Sequence, residues 1–448
     1  MARSLATGDP ANSEELMLRI SALRLGGRIA EANELLGRAA QGGEPRLLGL
    51  YALTLLATGR ADEACEVNLG EALQSARAGK SATEALLVPV YCAATNGDTP
   101  GARLALQLAR ESGADVALAA AVLGQRKPAI PKKIGLMDYL FLSLGEKRPG
   151  AGLAAKAEPE LLFLLARDRT APAELRIAAA ERAASLNIVS GDELARAYRE
   201  AAQALPKSAQ SPPALRAKLF TSFENAPSSK IRAESISALL ASARDQGIEV
   251  PIAVALAGAS ARLVEDPQAA GAFAETGIRV AALAGDEQSA WAWIDAGGER
   301  LKSWQLLLAA SDPLSPRAEA ALAQGVELAL KGGLAPPLLH RLVTVLDALD
   351  YDVPIPLWDE ASKTPQPAEG DLPPTGALTR LKEAADAGEV GRTIFLGAAV
   401  LGQKGAKGAH LIALGDSIRA LKRVGLDAEA RRLGFEALYA HWPSRGKA

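Results

Sequence analysis

The sequence predicts an all-α fold, an α-solenoid of stacked helix hairpins with a helical C-terminal module, and three observations lead there. Alanine fills roughly one position in five, well above ordinary usage, while aromatic residues make up only 4% of the chain. Apolar residues recur at helical steps of three and four almost throughout, and no run alternates as a half-buried strand would. Glycine, proline or asparagine interrupts the pattern every ~10–18 residues, the span of ordinary helices.

Each element follows from these. Alanine has the best helix propensity, and its small side chain lets helix axes approach closely. Sheets favour β-branched and aromatic residues instead. Leu16, Ile20 and Leu23 fall on one helix face, and Leu338, Leu342, Val345 and Leu349 form a clean stripe. A short signature recurs at the breaks: a helix end, a glycine, a polar or apolar residue, and alanine five positions after the glycine. It occurs at Gly27…Ala32, Gly59…Ala64, Gly97…Ala102, Gly285…Ala290 and Gly425…Ala430. Glycine takes the left-handed cap of the first helix, and alanine one turn into the second permits tight packing. The first glycines resemble tetratricopeptide spacing of ~34 residues, without that family's full consensus, so a degenerate array is expected.

Prolines mark coarser boundaries. Lys127 to Pro131 closes one block, and Leu205 through Pro213 a second. The clearest break runs from Tyr351 to Gly376, where six prolines forbid continuous helix. Ile355, Leu357 and Trp358 give that stretch apolar anchors, which predicts an ordered strap. The organisation expected is therefore a helical-repeat array over 1–350, a Pro-rich strap or linker over 351–376, and a C-terminal helical module over 377–448.

The stretches DYDVPIPLWDEASKTPQPAEGDLPPTGAL, GRTIFLGAAVLG and GAHLIALGDSIRALKRVGLDAEARRLGFEALYAHWP, with YCAATNGDTPGARLALQLARESGAD earlier, resemble a family of alanine-rich alphaproteobacterial helical-repeat proteins. The resemblance implies a tetratricopeptide-like array and carries no activity. It also implies a longer N-terminal part than this chain has, with an export signal.

Bulk charge and hydropathy narrow the partners. A net charge of −2 argues against a broadly basic nucleic-acid surface. No apolar run reaches the ~18 residues of a transmembrane helix. The first residues, MARSLATGDPANSEELM, lack the apolar core of a signal peptide, which predicts the cytoplasm; a missing upstream export segment would make it the periplasm. The two cysteines, Cys65 and Cys92, fit either buried thiols or one disulfide, and the second would imply an oxidising compartment.

No catalytic constellation emerges, and neither cofactor nor metal is expected. Gly79-Lys80-Ser81 has Gln74 where a phosphate-binding loop needs glycine, and no strand precedes it. Gly402, Gly405 and Gly408 form a turn without a dinucleotide fingerprint's spacing. His340, His410 and His441 stand far apart, lacking zinc-hydrolase spacing. Asp347, Asp350, Asp352, Asp359 and Glu360 cluster near the strap without matching a calcium loop. For partner binding the candidates are Trp291, Trp304 and Trp358, each either an exposed hot spot or core. The other candidates are Arg419, Arg423 and Arg432 on a basic amphipathic pair suited to an acidic partner or to lipid headgroups, or simply solvated. The function these readings favour is a non-enzymatic protein-binding scaffold or adaptor. The alternatives are a periplasmic structural or peptidoglycan-associated protein, and an enzyme with its site in a solenoid cleft.

Overall fold

The computed structural model describes residues 13–39, 45–67, 69, 80–124, 129–145, 150–244, 246–366, 370 and 372–442. The N-terminal residues read for a signal peptide lie largely outside this set. So do Gln74 and Gly79, part of the first proline boundary, and Pro367 in the strap. Every regular element among the described residues is helical, and the β structure amounts to one bridge between Ile134 and Ala157. No helix among them is long and apolar enough to cross a membrane.

The helices group into two compact units, Ala2–Leu263 and Val264–Ala448. The division thus falls between helices, ahead of the Pro-rich stretch. The first unit contains α1 (Ser13–Leu25), α2 (Ile29–Ala39), α3 (Pro45–Ala57), α4 (Ala61–Glu66), α5 (Lys80–Ala85), α6 (Val88–Thr95), α7 (Thr99–Glu111) and α8 (Ala117–Leu123). It continues through α9 (Leu136–Leu144), α10 (Pro159–Leu165), α11 (Ala173–Ser185), α12 (Gly191–Ala204), α13 (Pro212–Glu224), α14 (Ser229–Arg244) and α15 (Glu249–Ala261). Neighbours in sequence pack as pairs, α1 on α2, α6 on α7, α11 on α12 and α13 on α14. Some contacts leave this order: α1 and α3 rest on α10, and α12 packs against α15.

The second unit holds α16 (Pro267–Ala284), α17 (Glu287–Gly297), α18 (Lys302–Ser311), α19 (Ala318–Leu330), α20 (Pro336–Ala348), α21 (Ile355–Ser362), α22 (Ala377–Asp386), α23 (Val390–Leu401), α24 (Leu411–Arg423) and α25 (Asp427–Tyr439). Here α16 pairs with α17, α18 with α19, α22 with α23 and α24 with α25. The last two helices do not stand apart, because α24 packs on α20 and α25 on α18. The Pro-rich stretch carries a helix of its own. Pro354 is the N-cap of α21 and Pro356 sits in its first turn, where no amide donor is required. Leu357 and Ala361 are buried as α21 packs on α19 and α20.

The hairpin signature has the geometry its residues demand. Gly27, Gly59, Gly97, Gly285 and Gly425 have φ of 72°, 79°, 74°, 74° and 78°, the left-handed region. The amide following the glycine reaches back five residues in a Schellman closure. Arg28 N donates to Leu23 O at 2.8 Å and Asp286 N to Ala281 O at 2.9 Å. Ala32, Ala64, Ala102, Ala290 and Ala430, five residues past each glycine, are all at most 2% exposed. At Gly27 space is limiting as well, since a Cβ would lie 2.8 Å from the Ile188 side chain and 2.9 Å from Pro159 O.

Buried charge joins helices distant in sequence. Arg24 of α1 donates twice to Glu160 of α10, at 2.8 Å each. Between α11, α12 and α13, Glu181 accepts from Arg216 Nε at 2.7 Å and Nη2 at 2.6 Å, and from the Tyr198 hydroxyl at 2.8 Å. Burial opposes charge on Arg216, but the hydrogen bonds and field of Glu181 outweigh it and raise the pKa. Burial first, then Glu181, push the Tyr198 hydroxyl well above the ordinary tyrosine range.

Breaking such a pair strands a desolvated charge. We expect Arg216→Leu to lower unfolding free energy by about 3–5 kcal/mol and Arg216→Leu with Glu181→Leu to recover much of it, as read by urea denaturation. Tyr198 sets an alkaline limit: its contribution is full below about pH 10, the ordinary value, and declines as pH rises from there toward the folded value. The melting-temperature deficit of Tyr198→Phe at neutral pH should therefore shrink above that pH.

Candidate functional site

The tryptophans separate by burial. Trp291 and Trp304 are only 6% and 5% exposed, so both belong to the core of the second unit. Trp304 lies 5.9 Å from the Tyr439 ring, fastening α18 to α25. Trp293 packs edge-on to Phe273 at 5.5 Å. Trp358 is 44% exposed and, with Ile355 one turn before it, gives α21 an apolar outer face.

The basic residues of the last helices meet the acidic cluster near the strap. Arg419 bonds Asp347 and Asp416, Lys422 bonds Asp350, and Arg423 bonds Asp386 at 2.7 Å. Arg432 donates to Ala282 O at 3.0 Å and Leu283 O at 2.8 Å, the last carbonyls of α16, which it caps as a cation should. These side chains join helices of one unit to each other.

The remaining sequence candidates have structural partners. His340 Nε2 lies 3.2 Å from Thr364 O, tying α20 to the residues after α21. His410 caps α24, its Nδ1 accepting from Ile412 N at 3.3 Å. The glycine-rich turn at Gly405–Gly408 is gripped by the buried Arg341, which donates to Ala406 O and Ala409 O at 3.2 Å each. Cys65 of α4 and Cys92 of α6 form a disulfide with Cα atoms 5.5 Å apart. Among the described residues, no three or more His, Cys, Asp or Glu gather as metal ligands.

An open site lies elsewhere, between the end of α10 and the outer face of α12. It is a cleft of about 190 Å³ lined by Arg167, Arg169, Glu193, Arg196 and Glu200, with Ala166, Val189 and Ala197 supplying apolar walls. Helical spacing puts Glu193, Arg196, Ala197 and Glu200 on one face of α12. Glu193 is fixed by a capping box: Ser190 Oγ accepts from Glu193 N at 3.2 Å, and Glu193 Oε2 accepts from Ser190 N at 2.8 Å. Its other oxygen takes the Arg167 guanidinium. Arg167 also donates to Phe163 O at 2.9 Å and stacks 3.6 Å over the Phe163 ring. Glu200 accepts from Arg169 at 3.2 Å and stands 3.8 Å from the buried Arg176. Burial and the nearby Arg196 depress the Arg167 pKa, against the pull of Glu193. Arg196, exposed, makes no hydrogen bond or ion pair among the described residues.

Sequence reading did not single out this cleft. Its only trace there was Arg167-Asp168-Arg169 followed by Glu193, Arg196 and Glu200 at helical spacing, a pattern any solvated face can show. A second open surface lies along α7, where Leu104 and Leu108 are exposed beside Arg103, Gln107 and Arg110.

No family model matches the chain, and no curated protein or solved structure matches it.

The two kinds of cation should respond differently to neutralisation. Arg432→Met leaves two helix-end carbonyls without their charged donor, and we expect a loss of about 1.5–3 kcal/mol. Arg423→Met breaks a pair whose side chains are both about half exposed, and the expected loss is under about 1 kcal/mol. Thermal melts of the two variants give the comparison.

Proposed function

We propose that the protein is a non-enzymatic scaffold or adaptor that binds another protein or a peptide. The observation that carries this is the size and lining of the α10–α12 cleft. At about 190 Å³ it is below the ~300–1,000 Å³ of sites that enclose a small molecule or cofactor. It suits one side chain of a larger ligand whose remainder lies on the surface. The stacked helix pairs around it supply a stiff support of the kind protein-binding helical arrays use. The buried carboxylates Glu160 and Glu181 each hold an arginine, an arrangement that favours structure over acid–base chemistry. Membership of the alanine-rich alphaproteobacterial helical-repeat family is part of the same proposal and rests on the sequence likeness alone.

The compartment we propose is an oxidising one such as the periplasm, where a disulfide persists. The Cys65–Cys92 bond, closing a separation of 27 residues, supports it. A closure of this length contributes about 3–4 kcal/mol in the chain-entropy account.

Native co-purification of the full-length protein from its host, quantified by mass spectrometry, tests the scaffold. A stoichiometric protein partner is expected, and recovery of the chain alone at high yield would refute it. Alkylation of the same sample tests the compartment. Both thiols should resist modification until reductant is added; free thiols at the outset would place the protein in a reducing compartment.

A further inference from the structure

We propose that the α10–α12 cleft is a docking site for an acidic peptide segment, with Arg196 as the residue that takes the incoming carboxylate. This rests on the scaffold reading and names the chemistry of its partner.

The charge balance carries the argument. Arg167, Arg169 and Arg196 line the cleft together with Glu193 and Glu200. Asp168, next in the chain, is engaged on its own side, its Oδ2 accepting from the Tyr139 hydroxyl at 2.8 Å and its Oδ1 from Thr170 N at 2.8 Å. Among the side chains that line the cleft, three guanidiniums stand against two carboxylates. The excess charge resides on Arg196, whose donors have no protein partner among the described residues. A guanidinium presents a planar fork of donors that matches a carboxylate two to two.

Three further features select a carboxylate on a peptide. One excess positive charge matches a monoanion, whereas a phosphate dianion would meet Glu193 and Glu200 with charge to spare. Ala166, Val189 and Ala197 line the same cleft and offer apolar contact to the methylenes of a glutamate. The site is also pre-organised: Glu193 is locked by Ser190, and Arg167 is held by Glu193, Phe163 O and the Phe163 ring. The side-chain ordering that opposes binding is therefore confined mainly to Arg196.

The test uses the full chain and a fluorescently labelled oligoglutamate peptide, followed by anisotropy. Saturable binding is expected, weakening as salt is raised through the physiological range. Arg196→Glu should weaken it at least tenfold, and Arg196→Lys should retain part of it. Arg110→Glu on α7 changes the net charge equally and should leave binding within about twofold. Equal loss in Arg196→Glu and Arg110→Glu would reduce the effect to bulk charge and overturn the site. Displacement of the peptide by inorganic phosphate at concentrations where acetate is inert would overturn the carboxylate assignment. Absence of oligoglutamate binding beside a stoichiometric host partner would sink this inference and leave the scaffold standing. Oligoglutamate binding without any host partner would do the reverse.

Discussion

Close approach of helices at glycine-capped turns is the constraint on which the rest of the structure depends. In each hairpin a left-handed glycine reverses the chain, and an alanine five residues later sits where a larger side chain would hold the helices apart. The fold can do this five times with almost the same dihedral, φ between 72° and 79°, because the device is local. A Schellman closure needs only six residues and one backbone conformation that glycine adopts without penalty. The same economy of side-chain size recurs away from the turns. A Cβ on Gly191 would lie 2.6 Å from Val254 as α12 crosses α15, and one on Gly434 would lie 2.8 Å from Val345 as α25 crosses α20.

Small residues at interfaces leave few large rings to fill the core, and charge takes on part of the task of fixing which helices meet. Arg24 with Glu160 and Arg216 with Glu181 are buried and doubly hydrogen bonded, so each specifies a neighbour at the cost of desolvation. Arg432 does so more gently, by capping α16 from α25. The acidic residues before the strap and the basic residues of α24 complete the pattern. Asp347 and Asp350 neutralise Arg419 and Lys422 across 72 positions of sequence. What reads along the chain as two unexplained charge clusters is, in space, one seam.

That contrast defines how much was legible beforehand. Helix class, the turn glycines and the packed alanines follow from residues within one hairpin, and periodicity exposes them. The Pro354 and Pro356 pair was legible as a break but not as the start of α21, since proline ends one helix and opens another equally well. Whether Trp291 and Trp304 were core or surface depended on α25 and the helices around them, which no local pattern reveals. The cleft was least legible of all. Arg167 and Glu193 lie 26 residues apart and meet only because α11 returns the chain to the end of α10. Their spacing resembles that of any solvated helix face until the neighbour is known.

In the function proposed above, stiff helix pairs and a side-chain-sized cleft with one uncommitted guanidinium form a surface for another chain. Its preparation depends on the interfaces staying as tight as the small residues make them. Equilibrium unfolding of Ala290→Leu beside Gly258→Ala tests that directly. Ala290 is fully buried at the start of α17, so a leucine there should cost about 1–3 kcal/mol despite its added apolar surface. Gly258 has open space around its missing Cβ and lies within α15, so alanine there should gain up to about 1 kcal/mol. An Ala290→Leu protein as stable as the parent would contradict the account, because the hairpin would then have room that close packing denies it.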